Sequence, residues 1–231
     1  MPPLLLETEW RTLAVANYAF DPAVLAPYVP RGTTLDTLDG VAYASVVGFE
    51  WVRPRLWGIP APFHGRFAEL NLRTYVREGD RLGVVFLKEL VGMPLVAWIG
   101  RYVFQENFAL GRVAVEIGAS RVTYRWRQGG LQFDAEDRAL TDADFFLERD
   151  WAYTAARRGP TMAYPVARSS GVVRAARALP AGTDWDGLYG ATLAAGLHAP
   201  PVSAFLAEGA PVSVGPGRAL VGTAPGFREP T

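Results

Sequence analysis

Three stretches of the first half of the chain read as strands, each bounded by turn-forming residues, and one of them, Phe67–Val76, alternates apolar and polar positions with a period of two. Val41–Val52 is aromatic and β-branched and predicts a strand. A proline-rich loop, Pro54–Pro62, follows it. Phe67–Val76 and Leu82–Val91 predict two more strands, and Arg77-Glu-Gly-Asp-Arg81 between them has the composition of a turn, so the pair is expected to form an antiparallel hairpin. Ahead of these, Asp21-Pro22 has the form of an N-cap with proline at the first helical position. A short helix is therefore expected over Pro22–Tyr28, closed by Pro30-Arg-Gly32.

Beyond the hairpin, Pro94 opens an element in which Leu95, Ile99 and Tyr102 fall at helical spacing, predicting a helix to about Gln105. Arg112–Arg127 and Gly130–Asp134 read as a second hairpin around Gln128-Gly-Gly130. Asp142–Tyr153 suits a short helix. Asp184–Leu197 suits a longer one, capped by Thr183 or Asp184 and stopped before Pro200-Pro201. Gly222–Thr231 reads as a loose tail. Residues 1–221 are left as one α+β domain on a strongly bent antiparallel sheet, barrel-like or conical, with a few flanking helices.

Composition narrows the function classes. Half of the 231 residues are hydrophobic and 12% are aromatic, enough for a packed core. The formal charge is zero, so no field favours nucleic acid or an anionic membrane surface. There is no cysteine, which excludes disulfides, thiolate catalysis and cysteine-based zinc sites, and suits a reducing compartment. Met1-Pro-Pro-Leu-Leu-Leu-Glu7 lacks the basic region of a signal peptide, and no apolar run approaches bilayer-spanning length. The expectation is a cytoplasmic protein. Exposed sheet edges need covering, which a homodimer would do, although no residue pattern demonstrates one.

Candidate chemistry concentrates on the predicted hairpin. Strand periodicity puts Glu69, Asn71, Arg73 and Tyr75 on one face and Leu70, Leu72, Thr74 and Val76 on the other. In an open sheet the polar face would meet water. In a barrel or cone it would line a cavity where carboxylate, amide, guanidinium and phenol converge on a small ligand.

On the next strand sits Lys88, the only lysine in a chain with 23 basic residues. A regular strand would set Phe86, Lys88 and Leu90 on one face and Val85, Leu87 and Glu89 on the other. Lys88 is then either an ion-pair residue beside Glu89 or a desolvated amine able to act as base or to form a Schiff base. His64, Glu69 and Glu106 do not have metal-site spacing, and no metal or cofactor is called for. No nucleophile elbow, P-loop or dinucleotide fingerprint is present; Gly215-Pro-Gly217 is a turn.

Several ordered motifs resemble the YqjF-like family of uncharacterised bacterial proteins. They include Ser45-Val-Val-Gly-Phe49, Gly58-Ile-Pro-x-Pro-Phe-His64, Glu69-x-Asn-Leu-Arg73-x-Tyr-Val and Val85-Phe-Leu-Lys-Glu89, and they continue through Glu148–Tyr153 and Leu188-Tyr-Gly190. The family is similar to the acetoacetate decarboxylase-like superfamily, which implies a bent antiparallel sheet around a buried pocket. The decarboxylase's reactive lysine follows a Gly-x-Pro sequence after a helix. The comparable region, Gly100–Asn107, has no lysine. Where the family is expected to carry histidines, this chain has Arg149 and Arg168, so a proton-transfer role does not carry over there.

The resulting expectation is a central cavity that binds a small organic acid or carbonyl compound, with lyase or decarboxylase-like chemistry left open. Lys88 and Glu69 are the candidate catalytic residues. Arg73, Asn71, Tyr75, Arg101, Glu106, Glu89 and His64 are the candidate ligand-binding residues. A non-catalytic binding or sensing protein, and a structural or partner-binding module, are the alternatives.

Overall fold

Strands dominate the architecture. The structure, a computed structural model, describes residues 4–61, 65–104, 106–140, 143–154, 159–169 and 171–220. In chain order the strands are β1 (Leu6–Phe20), β2 (Thr34–Leu35), β3 (Thr37–Leu38), β4 (Val41–Leu56), β5 (Ile59–Pro60), β6 (Arg66–Glu78), β7 (Arg81–Val91) and β8 (Phe108–Leu110). They continue as β9 (Ala114–Ile117), β10 (Arg121–Trp126), β11 (Gly129–Ala135), β12 (Trp151–Thr154), β13 (Met162–Arg168), β14 (Val173–Ala181), β15 (Ser203–Val214) and β16 (Arg218–Ala219). Five short α-helices are described: α1 (Pro22–Leu25), α2 (Pro94–Ile99), α3 (Ala143–Leu147), α4 (Trp185–Tyr189) and α5 (Ala191–Leu197). The tail and His64 lie outside the described residues.

All sixteen strands join one sheet, whose path runs β16-β13-β12-β7-β6-β4-β1-β15-β14-β11-β10-β9 with the short strands attached at its sides. The path also returns on itself. β13 pairs with β15 from Val166↔Val214 to Arg168↔Val212, so β13, β12, β7, β6, β4, β1 and β15 form a closed circuit of pairings. The sheet is mixed rather than wholly antiparallel, because β12 and β8 both run parallel to β7. Close approach of β12 depends on Gly83: a Cβ there would lie 2.5 Å from the Tyr153 ring and 2.6 Å from the Trp151 carbonyl oxygen.

The two faces of the long strands serve different purposes. Leu70 and Leu72 of β6, Val85 and Leu87 of β7, and Ala44 and Val46 of β4 pack into the main core with Tyr124 and Phe133 from the β10–β11 hairpin and with Leu188, Leu193 and Leu197 from α4 and α5. The opposite face contributes Val47, Phe49, Tyr75 and Val84 to a second cluster, closed by Phe146 of α3. Burial on both faces explains why the polar ladder of β6 is not a solvated surface.

The helices differ from the sequence expectation in extent. Asp21 caps α1, accepting from the Ala23 N–H at 2.8 Å, but the helix tightens to a 3₁₀ turn at Ala26–Tyr28. The stretch expected as one helix over 184–197 is two, broken at Gly190 where φ is 76°. Among the described residues of the expected 142–153 helix, only Ala143–Leu147 is helical; Trp151–Thr154 is a strand instead, drawn in by pairing with β7. The expected strand over 112–127 is two, β9 and β10.

Candidate functional site

Inside the closed circuit lies a cavity of about 230 Å³, and every strand of the circuit contributes to its wall. β1 supplies Trp10 and Leu13, β4 supplies Val47, Phe49 and Trp51, and β6 supplies Phe67, Glu69, Asn71 and Arg73. β7 adds Val84, Phe86 and Glu89, β12 adds Trp151, β13 adds Tyr164, Val166 and Arg168, and β15 adds Val214. One side is closed by α2 and the wide π turn Gly100–Phe104 that continues it, through Val96, Ile99, Gly100 and Phe104. Gly100 fits because a Cβ there would meet the Phe108 ring at 2.1 Å. The apolar stripe of this helix is therefore not the expected one: Leu95 and Tyr102 are exposed, and Ile99 alone of that trio reaches the cavity.

A β-bulge decides where Lys88 points. Leu72 pairs with Lys88 and Arg73 with Phe86, leaving Leu87 as the extra residue. Asn107 holds the bulge in place. Its side-chain amide donates to the Leu87 carbonyl at 2.8 Å, and its own carbonyl accepts from the Glu89 N–H at 3.0 Å. The extra residue shifts the phase of alternation, so Phe86 and Glu89 both line the cavity while Lys88 faces the other way, its Nζ donating to the Leu188 carbonyl of α4 at 2.6 Å. The expectation that Phe86 and Lys88 share a face is corrected by this bulge. Lys88, the candidate amine, is a core-anchoring residue outside the cavity.

One end of the cavity is acidic. Glu69 is 1% exposed and accepts from Trp51 Nε1 at 2.8 Å and Asn71 Nδ2 at 3.0 Å. Glu89, opposite Asn71 across the strand pair, is 4% exposed and lines the same end of the cavity as Glu69. Glu106 is half-buried and joins them from the segment ahead of β8. Burial is the largest influence on all three. It raises Glu69 to about 7 and Glu106 to about 8, and it pushes Glu89 well above the usual carboxylate range with help from the charges of Glu106 and Glu69. With all three held above the usual carboxylate range, the cluster retains protons near neutral pH.

The other end is basic. Arg73 is 5% exposed, and its Nη2 donates to the Phe146 carbonyl at 3.3 Å, but its Nε has no hydrogen-bond partner. Arg149 pairs with Asp36, donates to the Phe145 carbonyl at 2.6 Å and lies over the Tyr75 ring at 4.9 Å. Arg168 completes the group from β13. Burial, followed by the like charge of Arg73, lowers it to about 10. No carboxylate among the described residues forms a salt bridge with Arg73 or Arg168.

The expected site residues thus divide. Glu69, Asn71, Arg73, Glu89 and Glu106 meet at the cavity wall. Tyr75 backs the wall without lining it; its hydroxyl is 2.5 Å from Ser45 Oγ, which itself donates to Asn17 Oδ1 at 2.6 Å. Arg101 is exposed and is not part of the lining, so this expected ligand-binding residue is not brought to the cavity. His64 lies outside the described residues. Arg149, Arg168 and Trp51 were not among the expected site residues, and the first two carried a signal only as departures from the family pattern.

Four buried polar atoms on this wall lack partners: Trp10 Nε1, Asn71 Oδ1, Arg73 Nε and Glu89 Oε1. Buried polar groups are ordinarily hydrogen-bonded, so these are the positions from which a polar ligand would be held. Among the described residues no cluster has the arrangement to hold a metal ion, and no helix is long and apolar enough to cross a membrane.

Comparison with known proteins agrees with this architecture. The chain superposes on the enduracididine biosynthesis enzyme MppR complexed with pyruvate with a TM-score of 0.70 at 14% identity, covering 97% of this chain and 93% of that one. It superposes on acetoacetate decarboxylase from Legionella pneumophila with a TM-score of 0.70 at 12% identity, covering 94% and 87%. At such identities the likeness is one of fold. The uncharacterised protein YqjF of Bacillus subtilis is 32% identical over 83 residues, which is 36% of this chain and 34% of that protein, so the match spans about a third of the relative's length. The sequence pattern of the DUF2071 family, described as an uncharacterised conserved protein, matches residues 7–211, and the chain belongs to that family.

Proposed function

We propose that the cavity receives a small organic acid or carbonyl compound, its carboxylate at Arg73 and Arg168 and its carbonyl or hydroxyl oxygen toward Asn71 and the Glu69–Glu89 pair. The observation that carries this reading is the Arg73 guanidinium, buried against the cavity with Nε unsatisfied and no carboxylate paired to it. A buried guanidinium in that condition gains by accepting a ligand carboxylate through charge-assisted hydrogen bonds. Arg168, lowered by burial and by Arg73, gains in the same way. The acidic end supplies groups that can take up or release a proton near neutral pH, which acid–base chemistry on a carbonyl compound requires. The complex of MppR with pyruvate holds a ligand of this class in a protein of the same fold.

Chemistry through a lysine imine is not part of this reading, since the only lysine lies on the opposite face of β7. That placement favours a second reading, binding without turnover. Calorimetric titration of pyruvate into the wild type and Arg73→Met tests the site: binding that weakens about tenfold or more in the variant supports it, and equal affinity in both removes it. Following exchange of the pyruvate methyl protons for solvent deuterium separates the two readings. Exchange that depends on Glu69 and rises through pH 7 indicates acid–base catalysis, whereas saturable binding with no exchange indicates a binding protein.

A further inference from the structure

We infer that the preferred ligand is a monocarboxylic acid with an aromatic body, and that dicarboxylic acids are rejected. The inference deepens the reading above and rests on it.

The argument starts from the distribution of polarity along β6. Arg73 and Glu69 lie on the same face four residues apart, so their Cα atoms are separated by about 13 Å along the strand. The carboxylate anchor and the acidic cluster are therefore at opposite ends of the cavity. The wall beside the acidic end is aromatic. Phe49 pairs with Glu69 in register and Trp51 with Phe67. The rings of Trp10 and Phe49 are 4.9 Å apart, those of Phe49 and Trp51 5.5 Å, and those of Trp51 and Phe67 are stacked at 6.0 Å.

A three-carbon acid anchored at Arg73 would leave this aromatic wall untouched. The cavity's 230 Å³ is the share of about seven or eight waters at ~30 Å³ each, more than such an acid displaces. An aryl group three or four bonds from the carboxylate would reach the ring cluster and bury its surface there, a contact that ordinarily contributes tenfold or more to affinity. A second carboxylate on the same reach would instead arrive beside Glu69, Glu89 and Glu106, with no cation among the cavity-lining residues at that end to receive it. A carboxylate taken out of water there without a cationic partner bears its full desolvation penalty, which excludes it.

Titration of propionate, 3-phenylpropionate and glutarate into the wild type and into Arg73→Met tests this directly. The expected result is that 3-phenylpropionate binds at least about tenfold more tightly than propionate, that glutarate shows no saturable binding, and that Arg73→Met weakens both monocarboxylates. Phe49→Ala, which trims the aromatic wall and leaves the anchor in place, should lower the affinity for the aryl acid more than that for propionate and so reduce the preference. Circular dichroism on each variant confirms that the fold is intact. Equal affinity for the two monocarboxylates, or glutarate binding as tightly as propionate, overturns the inference while Arg73 dependence keeps the site. Binding of no acid, or binding indifferent to Arg73, overturns the inference and the underlying reading together.

Discussion

Replacing Glu106 by glutamine isolates the electrostatic cost of the carboxylate cluster, because the side chain keeps its shape and loses its ability to ionise. Burial, and after it Glu69, holds the Glu106 carboxyl at about 8 against 4.5 for the free group. An acid whose folded value is raised keeps its proton longer in the folded state than in the unfolded chain. Stability is then undiminished below pH 4.5, falls as the unfolded chain ionises above it, and levels off once the folded group ionises near 8. At about 1.36 kcal/mol per pH unit the whole span amounts to roughly 5 kcal/mol. Glu106 is only half-buried, and a partly exposed carboxyl is screened by solvent, so about 2–3 kcal/mol is the expected effect.

Chemical denaturation of the two proteins across this pH range is the assay. The curves should coincide at pH 4.5, and Glu106→Gln should be the more stable by about 2–3 kcal/mol above pH 8, a Tm difference of about 4–12 °C for a chain of this size. A gap that is constant with pH, or a wild type that gains on the variant as pH rises, refutes the assignment of a raised pKa to this group.

Three other perturbations test separate links. Lys88→Met removes the donor to the Leu188 carbonyl and should cost roughly 1–3 kcal/mol in urea unfolding while leaving acid binding unchanged; a pyruvate adduct trapped on Lys88 by borohydride would contradict its placement. Gly83→Ala forces a methyl group against Trp151 and Tyr153 and should destabilise by about 1–3 kcal/mol, a cost that Gly79→Ala does not incur by contact, since a Cβ there meets nothing within 4 Å. Arg149→Met strips Asp36 of its buried partner, leaving it only the more exposed Arg77 at 3.6 Å, and should destabilise by about 3–5 kcal/mol, measurable as a lowered urea midpoint.

Much of this site was readable from local pattern. The period-two alternation of β6 gave the polar ladder directly, because that strand is regular from Glu69 to Tyr75 apart from a bulge carried by its partner. Periodicity fails on the neighbouring strand, because the extra residue at Leu87 reverses the phase and nothing local in Val85–Val91 announces it. The device that fixes the bulge, Asn107, is twenty residues away in sequence. Arg149 and Arg168 reach the cavity only because β12 adds in parallel to β7 and β13 closes the circuit onto β15. Such long-range pairings leave no periodic trace. β1 carries an irregularity between Arg11 and Ala14, with Thr12 at φ 55°, which interrupts the alternation that would have marked it as a long strand.

The account depends most on the basic end of the cavity being where a ligand carboxylate sits, and a crystal structure of the protein grown with 3-phenylpropionate measures that directly. The account predicts the carboxylate inside the closed circuit, with an oxygen about 3 Å from an Arg73 guanidinium nitrogen and the ring against Phe49 and Trp51. A carboxylate bound outside the circuit, or one lying inside it against Glu69 and Glu89 with Arg73 unengaged, would contradict it.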